Sequence, residues 1–136
     1  MKTKLLTICL LLVTSQVYAD DIIIKCFPGM QEHKDHVEVF KYSESLFGLL
    51  KKIQYRDKIE WADWCVSDKE DTREIKITKF GGSCVVTPKN ATKESMSSSS
   101  FIDFVQPARQ IKWYRQDGYN NKLNYNCSFI NKYDEN

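Results

Sequence analysis

Apolar and polar residues alternate along much of the chain, a pattern typical of β-strands that bury one face. The clearest case is residues 74–80, where isoleucines alternate with polar residues; Gly81 and Gly82 follow, and residues 83–87 return as a partner strand. This arrangement predicts a β-hairpin. Further strands are predicted at residues 21–27, 36–42, 58–66, 101–105, 110–116 and 121–129. Together they predict an all-β domain, a small antiparallel β-sandwich or barrel of about seven to nine short strands.

Residues 43–55 fit two patterns. Leu46, Leu49, Leu50 and Ile53 have helical spacing, whereas Phe47, Leu49, Ile53 and Tyr55 would share one face of a strand. A glycine inside a helix lowers its stability, and Gly48 lies in the middle of this run. We therefore favour a strand and keep, as the alternative, an α+β domain with one short helix near residues 43–54.

Two segments lack a pattern that could bury a face. Residues 88–100 are polar and close on four consecutive serines, which predicts a mobile polar loop. Residues 131–136 are also polar and predict a tail beyond the last strand. Neither an internal repeat nor a second domain is indicated.

The first 19 residues have the pattern of a cleaved export signal. Lys2 and Lys4 precede an apolar run over residues 5–13, and a polar stretch ends at Ala19, a small residue of the kind that a signal peptidase reads. The apolar run has about half the length that a membrane-spanning helix needs. We expect a single domain of residues 20–136 that is exported, either secreted or periplasmic, without a membrane anchor.

The charge balance gives no general attraction to a polyanion. The predicted signal contains two of the 20 basic residues and none of the 18 acidic ones, which leaves the expected mature chain with 18 of each. A balanced chain has no overall field that draws nucleic acid or anionic lipid. Nucleic acid is therefore not expected as a partner.

Four cysteines follow the predicted signal: Cys26, Cys65, Cys84 and Cys127. An even number in a small exported domain predicts two disulfides, and several pairings are open. Consecutive pairing would close two loops of about 40 residues, whereas nested pairing of Cys26 with Cys127 and Cys65 with Cys84 would tie the ends of the domain together. None of the cysteines has the spacing of a zinc site, and disulfide-bonded cysteines do not act as nucleophiles.

The stretch EWADWC, residues 60–65, brings two tryptophans close together in sequence. In a strand, Trp61 shares a face with Cys65, and Trp64 lies on the opposite face. Because Cys65 is expected in the core, we predict that Trp61 is buried with it. Trp64 is then an exposed ring, and such rings are favoured anchors in protein interfaces.

The residues that could carry catalysis or bind a metal form no specific motif. His33 and His36 lie close together beside carboxylates, but the segment has the composition of a solvated loop, so metal binding there is only a weak alternative. Glu60, Asp63 and Asp103 could serve a carboxylate-dependent hydrolase. Any chain with 18 acidic residues offers such candidates, so we expect neither an enzyme nor a cofactor.

The function that remains is recognition of a partner, expected to be another protein. Trp64, Tyr114 and Tyr119 are the proposed contact residues, because alternation places these rings outside the core. We therefore hypothesise a secreted binding protein, such as a host-directed effector or a hydrolase inhibitor. In size and architecture alone it resembles small exported bacterial β-domains that inhibit lysozyme or other hydrolases. The alternatives are the hydrolase above and an extracellular structural or salivary-type protein of a eukaryote, in which Asn90 would be glycosylated.

Overall fold

Nine antiparallel strands make up the fold, and the described part of the chain contains no helix. The structure is a computed structural model that describes residues 21–29, 36–45, 47–90, 96–115, 118 and 120–130. The strands are β1 (Ile22–Pro28), β2 (Glu38–Glu44), β3 (Lys51–Asp57), β4 (Glu60–Asp63), β5 (Asp71–Thr78), β6 (Gly81–Pro88), β7 (Met96–Asp103), β8 (Ala108–Arg115) and β9 (Asn120–Phe129). The predicted all-β class is confirmed.

The ambiguous segment contains a turn and a strand. β3 occupies its second half and pairs with β2, with Ile53 opposite Tyr42. Before β3, the N–H of Gly48 donates to the carbonyl of Ser45, which makes a turn. Gly48 has a φ of +64°, a conformation that glycine adopts without steric cost. The alternative of a short helix near residues 43–54 is therefore wrong.

The strands form an up-and-down meander whose first and last strands pair in the middle of the sheet. The strand order is β4-β3-β2-β1-β9-β8-β7-β6-β5. The sheet curls into a half-barrel, and its two edge strands, β4 and β5, are consecutive in the chain. The interior of a small barrel of this kind is either filled by side chains or available to a ligand.

The core lies on the concave face of the curled sheet. Its buried members are Ile24, Cys26, Phe40, Tyr42, Ile53, Trp64, Cys65, Cys84, Ile102 and Phe104. At one end of the half-barrel, the rings of Phe80 and Phe104 come from two turns and pack on Tyr42, with ring centres 6.0 and 5.6 Å away. Burying an apolar side chain of this size contributes roughly 1.5–3 kcal/mol. This end of the half-barrel is therefore filled.

A disulfide and a close side-chain contact join the two sides of the opening. Cys65 follows β4 at one edge of the sheet, and its partner Cys84 lies in β6, next to the other edge. Ile53 and Trp64 pack against Gly82 across the same opening: a Cβ built at Gly82 would lie 2.6 Å from Ile53 Cδ1 and 3.5 Å from Trp64 Cζ3. The curl is thus fixed by a covalent bond and by apolar packing.

The cysteines adopt the nested pairing. Cys26 and Cys127 are opposite each other on β1 and β9 and form the second disulfide. The sequence separations are 101 residues for this bond and 19 residues for Cys65–Cys84. In the chain-entropy model, loops of these lengths destabilise the unfolded chain by about 4.7 and about 3 kcal/mol. Two internal disulfides indicate an oxidising compartment.

The strand β7 begins earlier than the polar composition predicts. Residues 96–100 belong to β7 and Pro88 ends β6, so the predicted loop at 88–100 is wrong for its last five residues and for its first. Ser98, for example, lies opposite Val86 of β6 and Trp113 of β8. The apolar pattern does not predict this part of the strand, because its concave-facing residues are serines that border a cleft and not apolar residues of the packed core.

Several predictions concern parts of the chain outside the described residues. These are the export signal at residues 1–19, residues 91–95 of the predicted loop, and the tail at 131–136. Among the residues that are described, none form a helix long and apolar enough to cross a membrane.

Candidate functional site

The part of the concave face that the core leaves open forms a cleft of about 540 Å³, called the concave cleft below. Strands β2 to β8 contribute to it, together with the segment that follows β4. Its lining includes Glu38, Phe40, Trp64, Arg73, Ser98 and Arg109. Charged groups, a hydroxyl group and aromatic rings therefore converge on one concave surface, a combination typical of binding sites.

Arg109 is the buried cation of the concave cleft. The residue is only 7% exposed and lies opposite Tyr125 on the neighbouring strand β9. Its guanidinium carbon is 4.9 Å from the ring centre of Phe40 and 5.0 Å from that of Tyr125. Aromatic faces attract cations, and the attraction is stronger where water is excluded. The two rings thus help to hold a charge at a position where burial disfavours it.

Glu38 balances the charge of Arg109. Glu38 Oε2 lies 2.7 Å from Arg109 Nη1, which is an ion-pair distance. Arg109 Nε, by contrast, has no hydrogen-bond partner among the described residues. Buried polar atoms without such partners are rare and destabilising. A bound molecule with suitable polar groups would relieve this cost.

Burial shifts the protonation equilibria of both members of the pair. It raises the pKa of Glu38 above the ordinary value of 4.5, while the charges of Arg109 and His36 oppose the rise. Burial also lowers the pKa of Arg109, which the charges of Glu38 and Tyr125 raise. For each group the effect of burial is the largest, so the cleft disfavours charge and each ion depends on its neighbours.

Trp64 forms part of the cleft wall and is not a free surface ring. It is 9% exposed and packs edge-on against Phe40, with ring centres 6.4 Å apart and an interplanar angle of 78°. The prediction that Trp64 is exposed is therefore wrong. Alternation holds through Trp64: Ala62 lies opposite Tyr55, which lines the cleft, and Trp64 shares the face of Ala62. Cys65 has a φ of 66°, so alternation ends there and Cys65 turns to the same inner face as Trp64.

Trp61 lies on the convex face of the sheet. It is opposite Arg56 of β3, whose guanidinium carbon is 5.5 Å from the centre of the indole ring. Lys41 Nζ lies over the same indole at 4.5 Å. Trp61 is partly exposed and is not a member of the buried core, so the prediction that it is buried with Cys65 is wrong.

The other predicted site residues are dispersed. Tyr114 is 41% exposed on β8, and its role in binding stays a prediction. Asn90 is exposed just after β6, and its glycosylation also stays a prediction. His36 is exposed just before β2, whereas Tyr119 and His33 lie outside the described residues. Within the described ranges, no three histidine, cysteine, aspartate or glutamate residues form a group that could hold a metal ion.

The carboxylates proposed for a hydrolase have different structural settings. Asp63 forms an ion pair with Lys52 at 3.0 Å, on the convex side of the sheet. Asp103 accepts hydrogen bonds from two backbone N–H groups in the turn that follows it. Glu60 is exposed at the start of β4. Glu38 and Asp63 both border the concave cleft, but the ion pair directs the Asp63 carboxylate to the other face. These residues therefore form no facing pair of the kind that glycoside hydrolysis uses.

Sequence reasoning misses the ion pair of the concave cleft. Alternation over residues 36–42 places Glu38 on one face with Phe40 and Tyr42. A carboxylate on the same strand face as two buried rings is itself expected to be buried and to need a cation nearby. This pattern could have predicted an ion pair at Glu38. It does not identify Arg109, because that residue reaches Glu38 only through the curl of the sheet.

Comparison of the chain with protein-family models, with curated proteins and with solved structures gave no match. The geometry of the concave cleft is thus the basis for a functional proposal.

Proposed function

We propose that the protein is an exported binding protein without catalytic activity, and that its concave cleft holds a segment of a partner protein. Arg109 carries this proposal. It is a cation only 7% exposed, at the surface of an open cleft, whose Nη1 faces Glu38 and whose Nε lacks a hydrogen-bond acceptor in the described structure. A carbonyl or carboxylate oxygen of a partner would satisfy this donor, and hydrogen bonds to a buried charge are among the stronger ones.

The surroundings of the cleft support a protein segment as the occupant. Tyr55 and Trp64 offer aromatic surface, and Ser98 and Ser100 offer hydroxyl groups, so side chains and backbone of a partner both find complementary groups. The edge strands β4 and β5 lie on either side of the opening. Edge strands present backbone groups that an extended segment of another chain can pair with.

The contact surface in this proposal differs from the aromatic patch that the sequence suggests. Trp64 belongs to it as a wall of the cleft, whereas Tyr114 alternates with Trp113 and lies on the convex side. Export is supported by the two disulfides and by the signal pattern of residues 1–19.

A photoreactive amino acid in β7 tests the proposal. It would replace either Ser98, which lines the cleft, or Ser99, its neighbour on the convex face, which lies opposite Lys112. The two variants differ by one position in the same strand, so Ser99 is a matched control. Host and cell-envelope extracts would be irradiated with each variant, and crosslinked proteins identified by mass spectrometry.

The proposal predicts a discrete protein that crosslinks at position 98 and not at position 99. Arg109→Gln, checked for an intact fold by circular dichroism, should lower the crosslinking yield at position 98 at least fivefold. Equal crosslinking at both positions, or a yield that the Arg109→Gln substitution does not change, would show that the cleft is not the contact surface.

A further inference from the structure

Charges are distributed unequally between the faces of the sheet. On the convex side, β1–β4 and the β3–β4 turn carry Lys25, Lys41, Lys52, Arg56 and Lys58. Among the described residues of these strands, Asp63 lies on the same side, and Asp57 and Glu60 are exposed at the two ends of the turn. Lys52 pairs with Asp63 at 3.0 Å. Lys25, Lys41, Arg56 and Lys58 are called the basic patch below. A chain with balanced total charge thus has a local excess of positive charge.

A shallow depression lies within the basic patch. Its volume is about 380 Å³, and it is lined by Lys25, Val37, Val39, Arg56 and Lys58. No carboxylate belongs to this lining in the described structure. Three cations therefore surround two apolar side chains, and an anion placed there would interact with all three at once.

Aromatic rings hold the cations of the basic patch in place. Lys41 Nζ and the guanidinium carbon of Arg56 lie 4.5 and 5.5 Å from the ring centre of Trp61. Lys25 Nζ lies 5.4 Å from the ring centre of Phe27. These contacts reduce the conformational freedom that long basic side chains lose on binding, which favours a preorganised site. In each contact a cation of the protein itself lies over the ring, and Phe27 is still 42% exposed.

We propose that the basic patch binds a sulfated polysaccharide. A polyanion is favoured because the patch concentrates cations. A single-stranded nucleic acid is disfavoured, since such strands bind largely by stacking bases on aromatic rings, and each ring here already has a lysine of the protein over it. An oxidising compartment also places the protein where extracellular polysaccharides occur. The depression shares Val37, Val39 and Arg56 with the rim of the concave cleft, whereas Lys25, Lys41 and Lys58 do not line that cleft. Substituting these three lysines therefore tests the patch without changing the lining of the cleft.

Binding of a heparin dodecasaccharide, measured by titration calorimetry in low salt, tests the proposal. The patch variant carries Lys25→Gln, Lys41→Gln and Lys58→Gln. The control variant carries Lys76→Gln, Lys112→Gln and Lys122→Gln, which removes the same charge from the other half of the sheet. Thermal unfolding of both variants verifies that they are folded. The competing ligands are chemically desulfated heparin, single-stranded DNA of matched charge, and vesicles that contain phosphatidylserine.

We expect the patch variant to bind heparin at least tenfold more weakly than the parent, and the control variant to bind within about twofold of it. Desulfated heparin should not bind measurably, and raising the salt should weaken binding less steeply for the patch variant. If both variants lost the same heparin affinity, the loss would be due to net charge and not to the patch, and the proposal would be overturned. Tighter binding of DNA or of the vesicles than of heparin would also overturn it.

Discussion

Gly82 of β6 and Ile53 of β3 meet across the open side of the half-barrel, at a distance that leaves no room for a side chain on the glycine. A Cβ at Gly82 would lie 2.6 Å from Ile53 Cδ1 and 3.3 Å from the carbonyl oxygen of Lys76. Both Gly82 and Ile53 are buried. The closeness of β3 and β6, and hence the curl that shapes the concave cleft, depends on the absence of a side chain at position 82.

Gly82→Ala should therefore destabilise the protein by roughly 1–3 kcal/mol, the usual cost of overpacking a core. Ile53→Val removes the Cδ1 atom that the new methyl group would meet. We expect the double variant to be more stable than the sum of the single effects predicts, as measured by urea unfolding in a double-mutant cycle. Ser83→Ala, a change at the adjacent half-buried position, is the control. A Gly82→Ala effect no larger than the control would contradict the packing described.

The two disulfides should contribute unequally to stability. Replacing Cys26 and Cys127 with serine should lower the free energy of unfolding by about 4.7 kcal/mol, and replacing Cys65 and Cys84 by about 3 kcal/mol, because the first bond closes the longer loop. Urea unfolding under identical conditions measures both.

Hydrogen exchange can show which part of the sheet each disulfide stabilises. Loss of the Cys65–Cys84 bond should speed exchange in the edge strand β5 and in β6 more than in the central strand β1, since this bond joins the two sides of the opening. Uniform acceleration across the sheet would argue against a closing role.

Ionisation of Glu38 should weaken the fold. Its pKa is raised in the folded state by burial, so its contribution to stability is fully present below pH 4.5 and is lost as the pH rises through the folded-state pKa. Relative to the parent, Glu38→Gln should therefore gain stability over that interval. Urea unfolding between pH 4 and pH 8 gives this difference directly. In Arg109→Gln, NMR titration should show a still higher pKa for Glu38, because the opposing charge is removed.

Asp63 provides a control of opposite sign for this titration. Its pKa is lowered, chiefly by the bond to Lys52, so its contribution is present above pH 3.8 and is lost as the pH falls through the folded-state pKa. Asp63→Asn should be less stable than the parent at neutral pH, and this difference in the free energy of unfolding should disappear only at acid pH. If the stability of the Glu38 and Asp63 variants, relative to the parent, changed with pH in the same direction, the two carboxylates would not differ in environment as described.

The two tryptophans should differ sharply in their contribution to stability. Trp64→Ala removes a buried ring next to Phe40 and should cost about 3–5 kcal/mol. Trp61→Ala removes a partly exposed ring that contacts Lys41 and Arg56, and should cost about 1 kcal/mol. Urea unfolding measures the loss of stability in the two variants, and each variant serves as the control for the other. A larger effect at Trp61 would support the prediction from the sequence that Trp61 is buried and Trp64 exposed.

Alternation predicts most of the sheet but not the residues where alternation ends. The β5–β6 hairpin illustrates this: its strands agree with the pattern, yet the turn residues are Lys79 and Phe80, with Phe80 at a φ of 63°. Gly81 and Gly82 lie in β6, where Gly82 is required by contact with β3 and not by a turn. The prediction for Trp64 is wrong for a related reason: alternation ends at Cys65, so Cys65 does not share the face of Trp61.

The concave cleft depends on contacts between residues distant in sequence. Glu38 lies in a predicted strand and on the correct face, but its partner Arg109 belongs to a strand on the other side of β1 and β9. Strand β7 is equally hard to predict, because Ser98 and Ser100 face the cleft and show no apolar period. The curl of the sheet creates both the ion pair and the cleft that the serines face. The local pattern of apolar and polar residues does not predict this curl.

A crystal structure of the protein bound to the partner captured through position 98 tests the central claim most directly. We predict that a carbonyl or carboxylate oxygen of the partner lies within hydrogen-bond distance of Arg109 Nε or Nη1, inside the concave cleft. A partner seated elsewhere, with the pair of Glu38 and Arg109 unchanged and the cleft open to solvent, would contradict it.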